Sequence, residues 1–170
     1  MDTYLAVASK REVREYEPRP LDEDAERRIV DAGRVAGSSK NRQSRRFVVV
    51  RSPELVEEVA SSVYAPDNVR GAALVVAIVT GGKGPTSFDA GRAAQNMMLA
   101  AANDGIGSSP NGIADAERLR GAVGHGEGEK VAIVLTFGYP ARPRDLESRS
   151  ADEWIAAADR KPYEEMIEER

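Results

Sequence analysis

The sequence predicts an α+β layered fold in one domain spanning residues 1–170. Three observations carry this: helical and extended patterns alternate along the chain, one long helix is apolar around almost its whole circumference, and a polar tail follows the last strand. A chain of 170 residues buries roughly 68–70% of the surface its unfolded form exposes, enough for a self-sufficient core.

Residues 3–9 read as a short helix leading into the charged stretch Lys10-Arg11-Glu12-Val13-Arg14, and Pro18 and Pro20 then punctuate the chain. Asp22 is an N-cap for a helix over 22–36, whose Ala25, Ile29, Ala32 and Ala36 fall at helical spacing; Gly37 is its expected terminator. Ser38 to Ser44 is a polar loop, and residues 46–50 form a strand. Ser52-Pro53 opens a helix with Leu55, Val56, Val59 and Val63 on its buried face. A loop over 64–70 precedes the run from Ala72 to Thr80, which does not alternate and therefore reads as a strand buried on both faces.

After the turn-rich Gly81–Pro85 comes the long apolar helix, residues 87–104, with part of its burial expected from a second subunit. Pro110-Asn111-Gly112 is read as a turn, Leu119 and Val123 as the buried face of a further helix, and residues 130–137 as a third strand. In the tail, Ser150 and Glu153 have the spacing of a capping box, and a short helix follows Pro162.

Composition removes several chemistries. Without cysteine there is no disulfide, thiol nucleophile or Cys-ligated metal, and a single histidine, His125, argues against a His-based metal centre or a Ser-His-Asp triad. No metal site is expected. The longest apolar run, residues 72–79, is too short to span a bilayer, and the first residues lack the pattern of a signal peptide, so the expectation is a cytoplasmic protein without membrane contact. Residues 1–51 hold twelve Lys and Arg against nine Asp and Glu, whereas residues 52–170 hold twelve against nineteen. A basic N-terminal third on an acidic body suggests a local anion site. A nucleic-acid surface built from Lys40, Arg42, Arg45, Arg46 and Arg51 is disfavoured by the net charge of −4 and by the lack of interleaved aromatics.

The glycine-rich stretches do not make nucleotide motifs. Gly81 to Ser87 lacks the order of a P-loop, Gly105-Ile106-Gly107 closes a helix where a dinucleotide fingerprint would open one, and residues 124–128 read as a turn. Three segments are left: the basic cluster 10–14, the Ser/Asn/Gln loop 38–43 and the turn 110–112. Cations in the first could hold a phosphate, and amides and loop N–H groups in the others could edge-bind a planar heterocycle; a solvated face and ordinary turn chemistry are the competing readings.

In order and spacing, the segments resemble the FMN-dependent nitroreductase family. The resemblance rests on residues 9–16, on Ala36-Gly37-Ser38-Ser39-Lys40-Asn41-Arg42-Gln43-Ser44-Arg45-Arg46-Phe47, on the helix ending in Gly105-Ile106-Gly107 followed by Pro110-Asn111-Gly112, on Gly138-Tyr139-Pro140, and on residues 160–165. The chain departs from the family pattern at Glu12, where Ser is usual, and at Ser44-Arg45, where Pro-Trp is usual.

The resemblance implies a central, mostly antiparallel sheet flanked by helices, in an intertwined homodimer with residues 141–170 as an arm reaching the partner. It implies FMN at the subunit interface: Lys10, Arg11 and Arg14 at the phosphate and the N1/O2 edge, Ser38, Ser39, Asn41 and Gln43 from the partner subunit, Asn68 at the ring edge, Asn111 and Gly112 near N5, and Arg160 or Lys161 back at the phosphate. The implied reaction passes hydride from NAD(P)H through the flavin to a nitroaromatic or quinone-like acceptor. A deazaflavin in place of FMN, a non-catalytic flavin-sequestering protein of the same fold, and an anion-binding domain are the alternatives.

Overall fold

Strand β2 (Leu74–Gly81) sits inside a four-stranded antiparallel sheet of order β1-β2-β4-β3, with β1 at Arg45–Val50, β3 at Gly107–Asn111 and β4 at Glu129–Gly138. The computed structural model describes residues 2–170. They fall into two compact units, Glu12–Arg144 and Met1–Arg11 with Asp145–Arg170.

In the larger unit the sheet is covered on both faces, which is why β2 shows no alternation: its first seven residues are buried. Leu74, Val76, Ile78, Leu135 and Phe137 face one core, closed by α2 (Glu23–Arg34) and α5 (Thr86–Asn103). Val75, Ala77, Val79 and Val134 face the other, closed by α3 (Pro53–Ala60), α4 (Pro66–Arg70) and α6 (Ala116–Val123). Helices α2 and α5 approach closely because Gly33 has no side chain; a Cβ there would stand 2.7 Å from Met97 Sδ and 2.8 Å from Phe47 Cε1.

Three local expectations are corrected. Residues 107–111 are a strand, pairing from Gly107↔Gly138 to Asn111↔Val134. Pro110 fits there because β3 lies at the edge of the sheet, where a missing N–H donor leaves no ladder bond unmade. Part of the expected loop 64–70 is α4, started by Pro66 at its first helical position. Gly37 does not terminate the 22–36 helix: α2 ends at Arg34, and the Arg45 guanidinium donates to the carbonyls of Gly33, Ala36 and Gly37. A cation on the last carbonyls complements the helix dipole, so Arg45 fills the family's aromatic position with an electrostatic cap.

The segment 13–17 is bound to the β3–β4 side of the sheet. Val13 N–H donates to the Ser108 carbonyl at 2.9 Å, and Glu17 N–H to that of Tyr139 at 2.8 Å. Tyr16 OH donates to the Val13 carbonyl at 2.7 Å and lies 3.0 Å from Thr136 Oγ1. Burial pushes the Tyr16 phenol up to about 12. Unfolded tyrosine releases its proton near ~10, so this contribution is intact below pH 10 and is lost as the pH climbs toward 12. At pH 11 the loss is about 1.4 kcal/mol, and Tyr16→Phe should remove that slope from urea midpoints measured between pH 9 and 11. An unchanged slope in the variant would assign the alkaline sensitivity elsewhere.

The smaller unit joins α1 (Thr3–Ser9), α7 (Ala151–Ala156) and α8 (Tyr163–Met166). Asp2 caps α1 by accepting from Tyr4 and Leu5 N–H, and Ser150 and Glu153 form the expected capping box on α7. Arg11 binds the two helices together, donating to the carbonyls of Ala8, Lys10 and Trp154 with its guanidinium 5.6 Å from the Trp154 ring centroid.

Candidate functional site

The loop entering β1 holds backbone that its sequence alone would not choose. Lys40, Asn41 and Gln43 all have positive φ, at 53°, 51° and 51°. Left-handed non-glycine residues cost on the order of 1–2 kcal/mol each, and such strain collects at binding sites. Two clamps hold the loop. Gln43 N–H donates to Ser38 Oγ at 3.0 Å, and Ser39 N–H donates to Asp89 Oδ2 at 3.1 Å. Asp89, in the first turn of α5, is only 4% exposed, so a buried carboxylate is spent on one backbone amide of this loop. The result leaves Asn41 and Gln43 exposed and Ser38 and Ser39 half-buried.

A second cluster lies on the side of the sheet facing α4. The side chains of Asn68 and Asn111, 8% and 2% exposed, meet: Asn68 Nδ2 donates to Asn111 Oδ1 at 3.0 Å. Asn111 Nδ2 in turn faces the Ser109 carbonyl, the Val134 carbonyl and Thr136 Oγ1, at 3.1, 3.4 and 3.2 Å. Thr136 Oγ1 continues the chain to Tyr16 OH. The Asn111 carboxamide is therefore committed inside the fold, and what this position offers a ligand is backbone. Gly112 follows, exposed, with its carbonyl accepting from Tyr64 N–H at 3.1 Å.

Arg14 is the third piece, exposed beside the Ser108 edge and without a carboxylate partner among the described residues. Ser108 Oγ there is buried and makes no hydrogen bond. Arg14 and the 38–43 loop are at opposite ends of the sheet. Ser108 pairs with Phe137, whereas Arg45 pairs with Thr80 and Thr80 with Lys130. Seven residues of β4 separate these levels, roughly 23 Å at strand rise, so one chain does not bring the two groups together.

Of the candidates in the smaller unit, the Arg11 guanidinium is fully engaged as described above, Lys10 is half-buried, and Arg160 and Lys161 are exposed on the segment between α7 and α8. Three of the five cations of the basic surface weighed against a flavin site are engaged: Arg46 pairs with Glu129 at 3.0 Å, Arg51 with Glu26 at 2.6 Å, and Arg45 caps α2. Asp89 escaped the sequence reading, although it is the lone acid within α5 and so carried a signal. Arg92 also escaped; its guanidinium lies where a Cβ on Gly37 would be 2.6 Å from it.

Among known proteins, the family model described as "Nitroreductase family" matches residues 7–79 and 81–139. A protein of Archaeoglobus fulgidus, provisionally named NADH dehydrogenase/NAD(P)H nitroreductase, is 29% identical over 150 residues, 82% of this chain and 86% of its own length. A provisionally named nitroreductase from Desulfovibrio desulfuricans, solved in complex with FMN, superposes with a TM-score of 0.83 at 26% identity, covering 100% of this chain and 98% of that one. A nitroreductase family protein from Clostridium difficile also has a TM-score of 0.83, at 19% identity, with 99% and 98% covered. With its antiparallel sheet between two helical layers and a family match across most of its length, the chain belongs to the nitroreductase family.

Proposed function

We propose that the chain is an FMN-dependent oxidoreductase, reduced by NAD(P)H, that works as a homodimer on nitroaromatic or quinone-like acceptors. The observation that carries this reading is the separation of its two donor sets. Arg14 lies at one end of the sheet and the strained Ser38–Gln43 loop at the other, a gap longer than one mononucleotide. In a two-fold dimer the loop of one subunit can face the Arg14 end of its partner, and residues 141–170 would be the arm that secures it. Tyr163, Met166 and Ile167 stand 70%, 65% and 47% exposed on that arm, as an apolar strip awaiting cover would.

The residues suit the group. Ser38, Ser39, Asn41 and Gln43 supply hydroxyls and carboxamides for a ribityl chain and ring edge, and Arg14, with Lys10 and Arg160 or Lys161, supplies cations for a phosphate and an electron-rich N1/O2 edge. Arg11 would support Lys10 by fixing α1, and Asn68 would support Asn111 and Gly112 by fixing the backbone near N5. When bound, FMN supplies the hydride-accepting centre, so this chain needs no acid or base of its own. Its residues orient the ring, neutralise charge at N1/O2 and exclude water. The Desulfovibrio relative was solved with FMN, and the Archaeoglobus relative is named for NAD(P)H chemistry.

The test is the visible spectrum of purified protein with added FMN. Flavin bands near ~450 and ~370 nm that NADH or NADPH bleaches without oxygen are expected. Arg14→Ala should weaken FMN binding at least about tenfold, the worth of one charge-assisted contact. A protein that takes up no FMN overturns the flavin reading, and one that binds FMN but is never reduced is a sequestering protein.

A further inference from the structure

Six arginines of the larger unit are taken up by acids. Arg28, Arg34, Arg46, Arg51, Arg70 and Arg118 each contact a carboxylate at 2.5–3.0 Å. Arg42 and Arg92 pair with no carboxylate among the described residues, and neither do the exposed Lys40 and Lys83. These four cations come from the 38–43 loop, the 81–85 turn and the first turns of α5.

The guanidiniums of Arg42 and Arg92 border the same short stretch of chain. Arg42 donates to Ser39 Oγ at 3.0 Å, and its Nη1 lies 3.2 Å from where a Cβ on Gly84 would be. Arg92 lies against Gly37, two residues before Ser39, with its guanidinium 5.9 Å from the ring centroid of Phe88. Phe88 is 67% exposed, an unusual position for phenylalanine beside a polar loop. Asp89, next in sequence to Phe88, is buried and accepts from the Ser39 amide, and it forms an ion pair with neither guanidinium.

We propose that this patch binds the 2′-phosphate of a reduced dinucleotide, which makes NADPH, and not NADH, the preferred hydride donor. Two guanidinium forks match a dianionic phosphomonoester better than a singly charged carboxylate. Phe88 with Arg92 on its face offers a platform for the adjoining purine. The inference rests on the flavin reading above, because the 38–43 loop is what places the patch beside the redox centre.

The test is calorimetric titration of FMN-saturated protein with adenosine 2′,5′-bisphosphate, 5′-AMP and inorganic phosphate. The 2′,5′-bisphosphate should bind at least about tenfold tighter than either of the others, with a preference that shrinks as salt is raised. In the double variant Arg42→Gln/Arg92→Gln, checked for an unchanged melting temperature, that preference should fall to within about twofold. The ratio of kcat/KM for NADPH to that for NADH should fall in parallel. Equal binding of 2′,5′-bisphosphate and 5′-AMP by the wild type overturns the proposal, as does equal binding of inorganic phosphate, which would mean a general anion patch. A preference that survives in the double variant also overturns it. The visible spectrum of the same sample reports flavin uptake separately: a colourless protein that still discriminates the nucleotides would sink the flavin reading and leave the phosphate site standing.

Discussion

Asn111→Ala is expected to lower the stability of the protein by about 3 kcal/mol, because it removes the hub of a buried polar network. The substitution leaves Asn68 Nδ2 without its acceptor inside the fold and opens a cavity beside Thr136. Asn111→Asp, nearly isosteric, should do at least as much damage at neutral pH. It would place an oxygen where Nδ2 now faces the Ser109 and Val134 carbonyls. Urea unfolding of the two variants checks this. Midpoints that shift by less than about 0.5 kcal/mol would mean that the network is dispensable and that the Asn111 carboxamide is free for a ligand.

The same residues show what sequence can and cannot disclose. Core strands and long helices were legible because burial is written as composition: residues 72–79 are apolar without alternation, and the structure buries Leu74 to Val79 on both faces of the sheet. Caps were legible where chemistry is local, as at Ser52 and Ser150, whose side chains accept from Leu55 and Glu153 N–H. Strand β3 was not legible, since Gly-Ser-Ser-Pro-Asn carries every mark of a turn; its pairing with β4 is a non-local bond that short-range pattern does not record. Arg45 failed for the same reason, because the carbonyls it caps lie at least eight residues back in sequence. The loop 38–43 was picked out by residue type, but its strain and its clamp on Asp89, fifty residues away, belong to the fold.

That clamp yields an expected result in which stability and binding part company. Asp89→Leu removes a buried carboxylate that accepts from a single backbone amide, so the folded state should lose little and can gain, as buried charges replaced by apolar groups often show. The loop loses more. Lys40, Asn41 and Gln43 stay left-handed only while their surroundings hold them, and without the Ser39 anchor they can relax to ordinary φ. A flavin must then restore the strained form on binding, which should weaken FMN affinity by about 2 kcal/mol, or roughly thirtyfold. Asp89→Asn keeps an oxygen for the Ser39 N–H and should recover most of the affinity, which separates a positioning role from one of charge. Fluorescence titration with FMN, together with hydrogen exchange at the Ser39 amide, reads both halves of the argument. If Asp89→Leu binds FMN within about threefold of wild type, the loop is held without Asp89 and its strain has another support.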